Sequence, residues 1–302
     1  MTLTQTMQQL DIFADSRDVA LRNDVLETLL RRDALAARTA LEQLAHAYPD
    51  DDALPAMASL LCELERTPVA PITDFAALAR ARCHLEDEVA PAARRVLPAQ
   101  AVQSWLAPCW RSLAQRAEPR VFRSAEADAH AAPLWLRAGE WVAASAAVER
   151  IESWWRMAAP LAWMAEARYR TGGLDAAWPV LVELAWLAPA RFAGLLPMLG
   201  DALLDVLRSR FDAEFAGAGD VEDYAWFPAW LLVVKPSLAG WLAGARVQRD
   251  QAASRATALL GEILRREHEG NQHELVNLRE ALCHLHAGLF EAYMATRNVQ
   301  HR

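Results

Sequence analysis

The chain has 302 residues, 54% of them hydrophobic, and a formal net charge of −8 at pH 7. This length allows one elongated domain or two compact ones with a large core. The acidic balance argues against a nucleic-acid partner, because a phosphate backbone repels an acidic surface. The four cysteines form no closely spaced pair, which argues against a disulfide framework and indicates a reduced compartment.

The first part of the chain is predicted to consist of helices separated by short polar breaks. Apolar side chains recur there at helical spacing, and the acidic run at 50–52 suits the first turn of a following helix. Pro68 and Pro71 disfavour helix at the residues before them and predict a connector, after which Thr73 or Asp74 can cap a helix. The predicted helices cover residues 18–31, 34–48, 53–64, 74–86 and 100–116.

The most apolar window of the chain covers residues 225–245. It contains Lys235 and Pro236, and its charge-free part is about half the length that a bilayer span requires. We therefore predict two buried helices broken at Pro236 and no contact with a membrane. The first 25 residues carry aspartates instead of the apolar stretch of a signal peptide, so the expected location is cytoplasmic.

The C-terminal part of the sequence predicts a helical hairpin. Its first helix covers 252–267, Gly270 suits a left-handed C-cap, and Asn271 with Glu274 resembles a capping box. Leucines then recur at alternating spacings of three and four, which predicts a coiled-coil-like seam packed on the preceding helix. The seam leucines are Leu275, Leu278, Leu282, Leu285 and Leu289.

Two stretches in the middle of the chain align with each other at an offset of 33 residues. Residues 136–140 fall on 169–173, and Ala144 falls on Ala177. A fixed offset of this size with a glycine near the middle predicts a stacked array of helix–turn–helix units. Paired helices are expected to continue to about residue 215.

Residues 158–189 resemble a tetratricopeptide repeat at four positions. A small residue lies in the first helix, glycine at the turn, alanine in the second helix and proline after it. Each has a steric reason, since small residues let helices approach, glycine opens the turn and proline ends the unit. These positions are Ala165, Gly172, Ala177 and Pro189.

Two further stretches match the repeat less completely. In 125–157 the turn glycine is present, but Arg156 stands where proline is expected. In 18–49 the final Pro49 is present, but Arg32 replaces the turn glycine. Good matches therefore cover about a third of the chain.

The resemblance implies an all-α fold, a right-handed superhelix of antiparallel helix pairs, followed by the C-terminal hairpin. We predict one elongated domain over 1–302. Its sub-regions are an N-terminal repeat at 18–66, a degenerate region at 72–120, tetratricopeptide-like repeats at 125–215 and C-terminal helices at 222–302. The resemblance further implies that the concave face binds an extended peptide or a partner helix.

The candidate partner-binding residues combine groove charges with aromatic side chains. The repeat register places several of them on first helices, where arginine forks would bind a carboxylate. The two adjacent tryptophans can hardly both face one core, because consecutive helical side chains point about 100° apart. The candidates are Arg22, Arg137, Trp154, Trp155, Glu166, Tyr169 and Arg170. The alternative interpretation is a solvated helix face with core-filling tryptophans.

No motif in the sequence predicts a catalytic residue, a metal site or a cofactor. His268 and His273 resemble a zinc-protease pair, but their spacing is one residue too long and falls on a predicted turn. The histidine cluster at 280–286 lacks a second group of ligands and is interpreted as solvated. We therefore expect a non-enzymatic module that binds a protein or peptide, with a homodimer left open.

A second function stays open, a small-ligand-binding protein or helical enzyme. Its pocket would lie between the repeats and the C-terminal helices, lined by Tyr224, Trp226, Arg246 and the histidine cluster. A closed apolar pocket with convergent polar groups favours this alternative, whereas an open face carrying arginine and tryptophan favours the interaction module.

Overall fold

The computed structural model describes residues 3–66, 71–72, 74–215, 217–242, 244–247, 250–269 and 274–300, and their side chains except at 3–16, 241–242 and 298–300. Every regular element in these ranges is helical, so the all-α prediction is confirmed. The chain divides into two compact units, Met1–Glu140 and Trp141–Arg302. The single domain predicted over 1–302 stays a prediction.

The first unit contains α1 to α7, with a π-helical turn at His84–Val89 between α4 and α5 and a 3₁₀ turn at Ser124–Ala129 before α7. Its helices are α1 (Leu3–Leu30), α2 (Ala34–Ala47), α3 (Leu54–Glu65), α4 (Phe75–Cys83), α5 (Ala90–Val96), α6 (Ala99–Ala117) and α7 (Ala131–Arg137).

The second unit contains α8 to α16, with 3₁₀ turns at Trp154–Arg156, Val221–Trp226 and Pro236–Leu238. Its helices are α8 (Trp141–Glu149), α9 (Ala158–Leu187), α10 (Pro189–Leu199), α11 (Ala202–Glu214), α12 (Phe227–Val234), α13 (Ala239–Leu242), α14 (Ala252–Glu269), α15 (Leu275–Leu285) and α16 (Ala287–Gln300).

Aspartate side chains begin several of these helices. Asp33 accepts a hydrogen bond from the backbone N–H of Ala36, at 3.0 Å, and starts α2. Asp74 caps α4 by accepting from two backbone N–H groups, and Asp201 caps α11 in the same way. These caps satisfy donors that a helix N-terminus leaves without an intrahelical partner. The sequence offered Thr73 or Asp74 as a cap, and Asp74 serves; Thr73 lies outside the described residues.

Left-handed residues lie between successive helical segments. They include Arg32 (φ 58°), Gly139 (φ 75°), Ser153 (φ 53°), Gly173 (φ 68°), Gly200 (φ 66°) and Gly219 (φ 81°). Gly173 breaks α9 into two helical segments, 158–172 and 174–187. The prediction of Gly172 as the turn glycine is therefore corrected by one residue. Glycine is still required at position 172, because a Cβ there would lie only 2.7 Å from Cβ of Ala176.

The small residues that the repeat pattern singles out are buried between helices. Ala37, Ala144, Ala165 and Ala177 are all fully inaccessible to solvent. Most tryptophans also fill the core, as their size and low rotamer entropy favour.

The apolar window at 225–245 forms two helices, but the prediction that both are buried is corrected, because Ala239 of α13 is half-buried and Gly240 is exposed. α12 is buried over most of its length and ends at Lys235, before the turn at Pro236–Leu238. The predicted break at Pro236 is confirmed. Within the described ranges, the structure contains no helix with the length and apolar content that a membrane span needs.

The C-terminal seam departs from the prediction of one continuous helix. The backbone leaves helical geometry at His286 (φ −159°, ψ 101°), which separates α15 from α16. Nδ1 of His286 accepts a hydrogen bond from the N–H of Leu289 at 3.0 Å and so caps α16. Leu275, Leu282 and Leu289 are buried, whereas the other two seam leucines are half-buried. The caps predicted at Gly270 and Asn271 lie outside the described residues.

Candidate functional site

Arg22, a predicted groove residue, is held within the first unit. Its Nε donates to Oδ2 of Asp51 at 2.5 Å, and its Nη2 lies 3.2 Å from Oδ2 of Asp18. Burial by itself would raise the pKa of Asp51, but hydrogen bonds from Arg22 and from the N–H of Ala53 lower it below its usual value. Arg22 therefore joins α1 to the turn before α3.

Arg137 is also engaged inside the first unit. Its Nη1 forms a short ion pair with Glu86, and its guanidinium lies 4.9 Å from the ring centre of Trp110. The side chain keeps 45% of its surface exposed. Arg137 therefore pairs with the carboxylate of Glu86 and lies over the ring of Trp110, while nearly half of its side chain stays exposed to solvent.

Tyr169 and Arg170 connect consecutive helical hairpins of the second unit. The hydroxyl of Tyr169 donates to Oδ2 of Asp201 at 3.1 Å, and Nη2 of Arg170 donates to the carbonyl of Met198 at 2.9 Å. The guanidinium of Arg170 lies 5.8 Å from the ring centre of Trp141. Glu166, on the same helical segment, is half-buried.

Exposed apolar side chains lie at the start of α8, at the end of α10 and on α11. Val142 follows Trp141 at the start of α8, Met198 is at the end of α10, and Leu203 and Val206 lie one turn apart on α11. Val142 is 75% exposed, and Met198 and Val206 are each 64% exposed. We call these residues the turn patch: Trp141, Val142, Arg170, Met198, Leu203 and Val206.

Trp154 and Trp155 form an edge-to-face pair with ring centres 6.0 Å apart. Trp154 is buried and Trp155 is 36% exposed, so the two rings do not share one core face, as predicted. The guanidinium of Arg246 lies 5.4 and 5.1 Å from the two ring centres. Both carboxylate oxygens of the buried Glu183 accept from Arg246, one from its backbone N–H at 2.8 Å and one from Nη1 at 3.1 Å.

A cleft of about 1260 Å³ lies within the second unit, between the second segment of α9, α12–α13, α14 and α15. It lies between a repeat-like helix and the C-terminal helices, where the alternative function placed a pocket. Its apolar walls are Trp186, Leu232, Ala239, Ala245, Val247, Ala258, Leu264, Leu275 and Val276. Its charged side chains are Glu262, Arg265, Arg266, Glu267, His268, Arg279 and Arg297.

Most of the residues proposed for that pocket lie elsewhere. Tyr224 donates a hydrogen bond to Asp212 at 2.6 Å, and burial with that bond raises the pKa of the phenol. Trp226 packs on His286, with ring centres 4.6 Å apart. Neither Arg246 nor the histidine cluster at 280–286 contributes to the lining either.

Ion pairs order the charged rim of the cleft. Glu262 accepts hydrogen bonds from Arg265 and Arg266, which lower its pKa to about 2. Glu267 accepts from Arg279 at 3.0 Å and from Arg297 at 2.9 Å, and it also receives the hydroxyl of Tyr293. Because these residues lie on α14, α15 and α16, the network fixes the three helices against one another.

Trp186 lines the cleft but keeps its indole nitrogen buried. Its side chain is 4% exposed, and Nε1–H has no hydrogen-bond partner among the residues that the structure describes. Sequence reasoning missed this residue, because nothing in its local pattern distinguishes it from the other core tryptophans. The charge pattern of α14, with Glu262 three and four residues before the two arginines, was visible in the sequence.

Within the described ranges, no group of three or more metal-ligating side chains is close enough to hold an ion. His273, one member of the histidine pair considered above, lies outside them. No family model, curated protein or solved structure matches this chain in the three comparisons made. The tetratricopeptide resemblance therefore stays a prediction.

Proposed function

We propose that this protein is a non-enzymatic helical-repeat module that docks a protein partner. In this proposal its helix pairs stack into the right-handed superhelix that the tetratricopeptide resemblance implies. Left-handed turns between successive helices and the full burial of the alanines that the repeat pattern singles out support that arrangement.

The turn patch is the observation that carries the proposal. Arg170 contacts two of its other members, the ring of Trp141 and the carbonyl of Met198. Valine and methionine side chains exposed together at neighbouring turns leave apolar surface in water, which is typical of an interaction site. Aromatic residues, methionine and arginine are the types enriched in protein interfaces.

The chemistry of the turn patch defines the partner that fits it. The side chain of Arg170 is exposed, and its Nη2 donates a hydrogen bond to the carbonyl of Met198. A carboxylate on the partner would accept hydrogen bonds from the guanidinium of Arg170. The partner that fits the turn patch therefore presents an apolar side chain next to an aspartate or a glutamate.

Affinity capture with matched variants tests this proposal. The parent chain, Val206→Asp and Leu35→Asp are immobilised, and proteins retained from an extract of the native host are quantified by mass spectrometry. Leu35 is 79% exposed and lies near the start of α2, so its variant adds the same charge near a helix N-terminus outside the patch. We expect a partner retained by the parent and by Leu35→Asp but lost from Val206→Asp.

Arg170→Glu then tests the role of charge with that partner. Losing a charge-assisted hydrogen bond costs roughly 1.5–3 kcal/mol, so affinity is expected to fall at least tenfold. Circular dichroism confirms that each variant keeps its fold. If every retained protein binds Val206→Asp and Arg170→Glu as tightly as the parent, the turn patch is not the docking surface.

A further inference from the structure

A cavity of about 230 Å³ lies in the first unit, between the start of α4 and the segment that follows α6. The backbone joins its two walls, because the N–H of Ile72 donates to the carbonyl of Arg116 at 2.9 Å. Its lining combines apolar side chains with two arginines. The lining residues are Ile72, Phe75, Pro119, Arg120, Val121 and Arg123.

Both arginines of this cavity lie against the ring of Phe75. The guanidinium carbon of Arg120 lies 3.3 Å from the ring centre, and that of Arg123 lies 4.7 Å from it. Each contact is favourable by itself, because the face of an aromatic ring attracts a cation. Together they place two positive charges no farther apart than the sum of these two distances, where like charges repel each other.

Ion pairs do not offset this repulsion in the part of the chain that the structure describes. There, Arg120 and Arg123 take part in no ion pair, and their guanidinium groups make one hydrogen bond, from Nη1 of Arg120 to the carbonyl of Ile72 at 3.5 Å. Asp74 precedes Phe75 in the chain, but both of its carboxylate oxygens accept from backbone N–H groups at the start of α4. By contrast, each arginine that lines the cleft of the second unit pairs with a glutamate. The two arginines on Phe75 therefore favour a bound anion.

Two guanidinium groups favour a phosphate group over a carboxylate. The two oxygens of a carboxylate are occupied by one guanidinium fork, whereas the three terminal oxygens of a phosphate monoester can accept from two forks. Two positive charges also match the charge of about −1.5 to −2 that a phosphate monoester carries at pH 7. The cavity volume of about 230 Å³ is below the roughly 300–1,000 Å³ of pockets for drug-sized ligands, so the ligand that fits it is small.

We propose that this cavity binds the phosphate group of a small phosphate monoester between the guanidinium groups of Arg120 and Arg123. The organic part of the ester would lie against Val121, whose side chain is 81% exposed. The site shares no residue with the turn patch, so either proposal can fail without the other.

Titration of the full chain with phenyl phosphate at constant ionic strength tests this proposal. Binding is followed through the backbone ¹H–¹⁵N resonances of residues 121–123. Arg123→Gln removes an exposed guanidinium from the site, and Arg94→Gln is the matched control, because it removes an exposed arginine of the same unit that does not line the cavity. We expect saturable shifts in the parent and in Arg94→Gln. Affinity should fall at least about tenfold in Arg123→Gln, which loses charge-assisted hydrogen bonds to the phosphate.

The proposal is overturned if these resonances show no saturable shift, or if Arg123→Gln binds phenyl phosphate as tightly as the parent and Arg94→Gln. Circular dichroism confirms that both variants keep the helical content of the parent.

Two further anions test the chemical class of the ligand. Acetate should bind at least about tenfold more weakly than phenyl phosphate, because it occupies only one guanidinium fork. Equal binding of acetate would mean that the site accepts carboxylates and that the assignment to phosphate is wrong. Inorganic phosphate should also bind more weakly, because it lacks a group to pack on Val121. If inorganic phosphate binds as tightly as the ester, the ligand is the free ion and the assignment to an ester is wrong.

Discussion

At the scale of single residues, Arg32 shows how a side chain can replace a turn glycine. Its φ of 58° is left-handed, a conformation that strains any residue with a Cβ. Its Nη1 donates to the carbonyl of Trp105 at 2.6 Å, and its guanidinium lies 4.9 Å from that ring centre. The indole Nε1–H of Trp105 in turn donates to the carbonyl of Leu29. These contacts hold the end of α1 on α6 and offset the strain.

Two substitutions at residue 32 separate strain from contact. Arg32→Ala removes the contacts and keeps the strain, whereas Arg32→Gly removes both. We expect both variants to be less stable than the parent, with glycine more stable than alanine by about 1 kcal/mol. Urea unfolding measures both differences. If alanine equals or exceeds glycine in stability, residue 32 does not adopt the left-handed conformation.

The repeat register had marked Arg32 as standing in the glycine position, so its location could be predicted from the sequence. The contacts that offset its backbone strain could not be predicted, because Trp105 is distant along the chain. The contacts of Arg246 could not be predicted for the same reason. Arg246 follows α13, but its partners Trp154 and Glu183 lie much earlier in the chain. Short-range patterns identify a turn, and long-range contacts decide what stabilises it.

At the scale of helices, His286 decides how the C-terminal region is divided. Its imidazole caps α16, and its ring lies against Trp226 at 4.6 Å and Phe215 at 5.3 Å between centres. Burial lowers the pKa of His286, while the charge of Asp223 opposes that shift. A capping nitrogen must be unprotonated to accept the N–H of Leu289, which also favours the neutral form.

This geometry predicts a pH dependence of stability. Between the lowered pKa of the folded state and about 6.5, the unfolded chain binds more protons at this site than the folded chain. Stability from His286 is therefore complete above about pH 6.5 and declines as the pH falls below it. Urea unfolding at pH 7.5 and 5.5 measures the decline. His286→Asn, which can cap but does not titrate, should lose less stability over this interval, and an equal loss would contradict the assignment.

The leucine spacing of 275–289 predicted helices in the correct place but could not predict the break. Three seam leucines are buried as expected, because heptad-like spacing selects one face. The interruption depends on the contacts of His286 with Trp226 and Phe215, which lie far earlier in the chain. By contrast, the caps at Asp74 and Asp201 act over two or three residues, and such local signals can be read from the sequence.

At the scale of the whole molecule, the sequence predicted the helical class but not the residues that line the cleft of the second unit. The cleft combines Trp186 of α9 with side chains of α14 and α15, which are about 70 to 95 residues away along the chain. No periodicity relates such positions. The hydrophobic pattern predicts which faces are buried, whereas a cavity depends on the final packing of several elements.

The division of the chain into Met1–Glu140 and Trp141–Arg302 gives the last prediction. Each unit has its own buried residues, among them Leu44 in the first and Leu231 in the second, both fully inaccessible. Truncating either leucine to alanine should cost roughly 2–5 kcal/mol, through lost burial and an unfilled cavity. Because stability is distributed among cooperative regions, we expect each variant to lose hydrogen-exchange protection mainly within its own unit. Hydrogen exchange read by mass spectrometry resolves the two sets of peptides. If either substitution lowers protection equally across 1–302, the chain unfolds as the single domain that the sequence predicted.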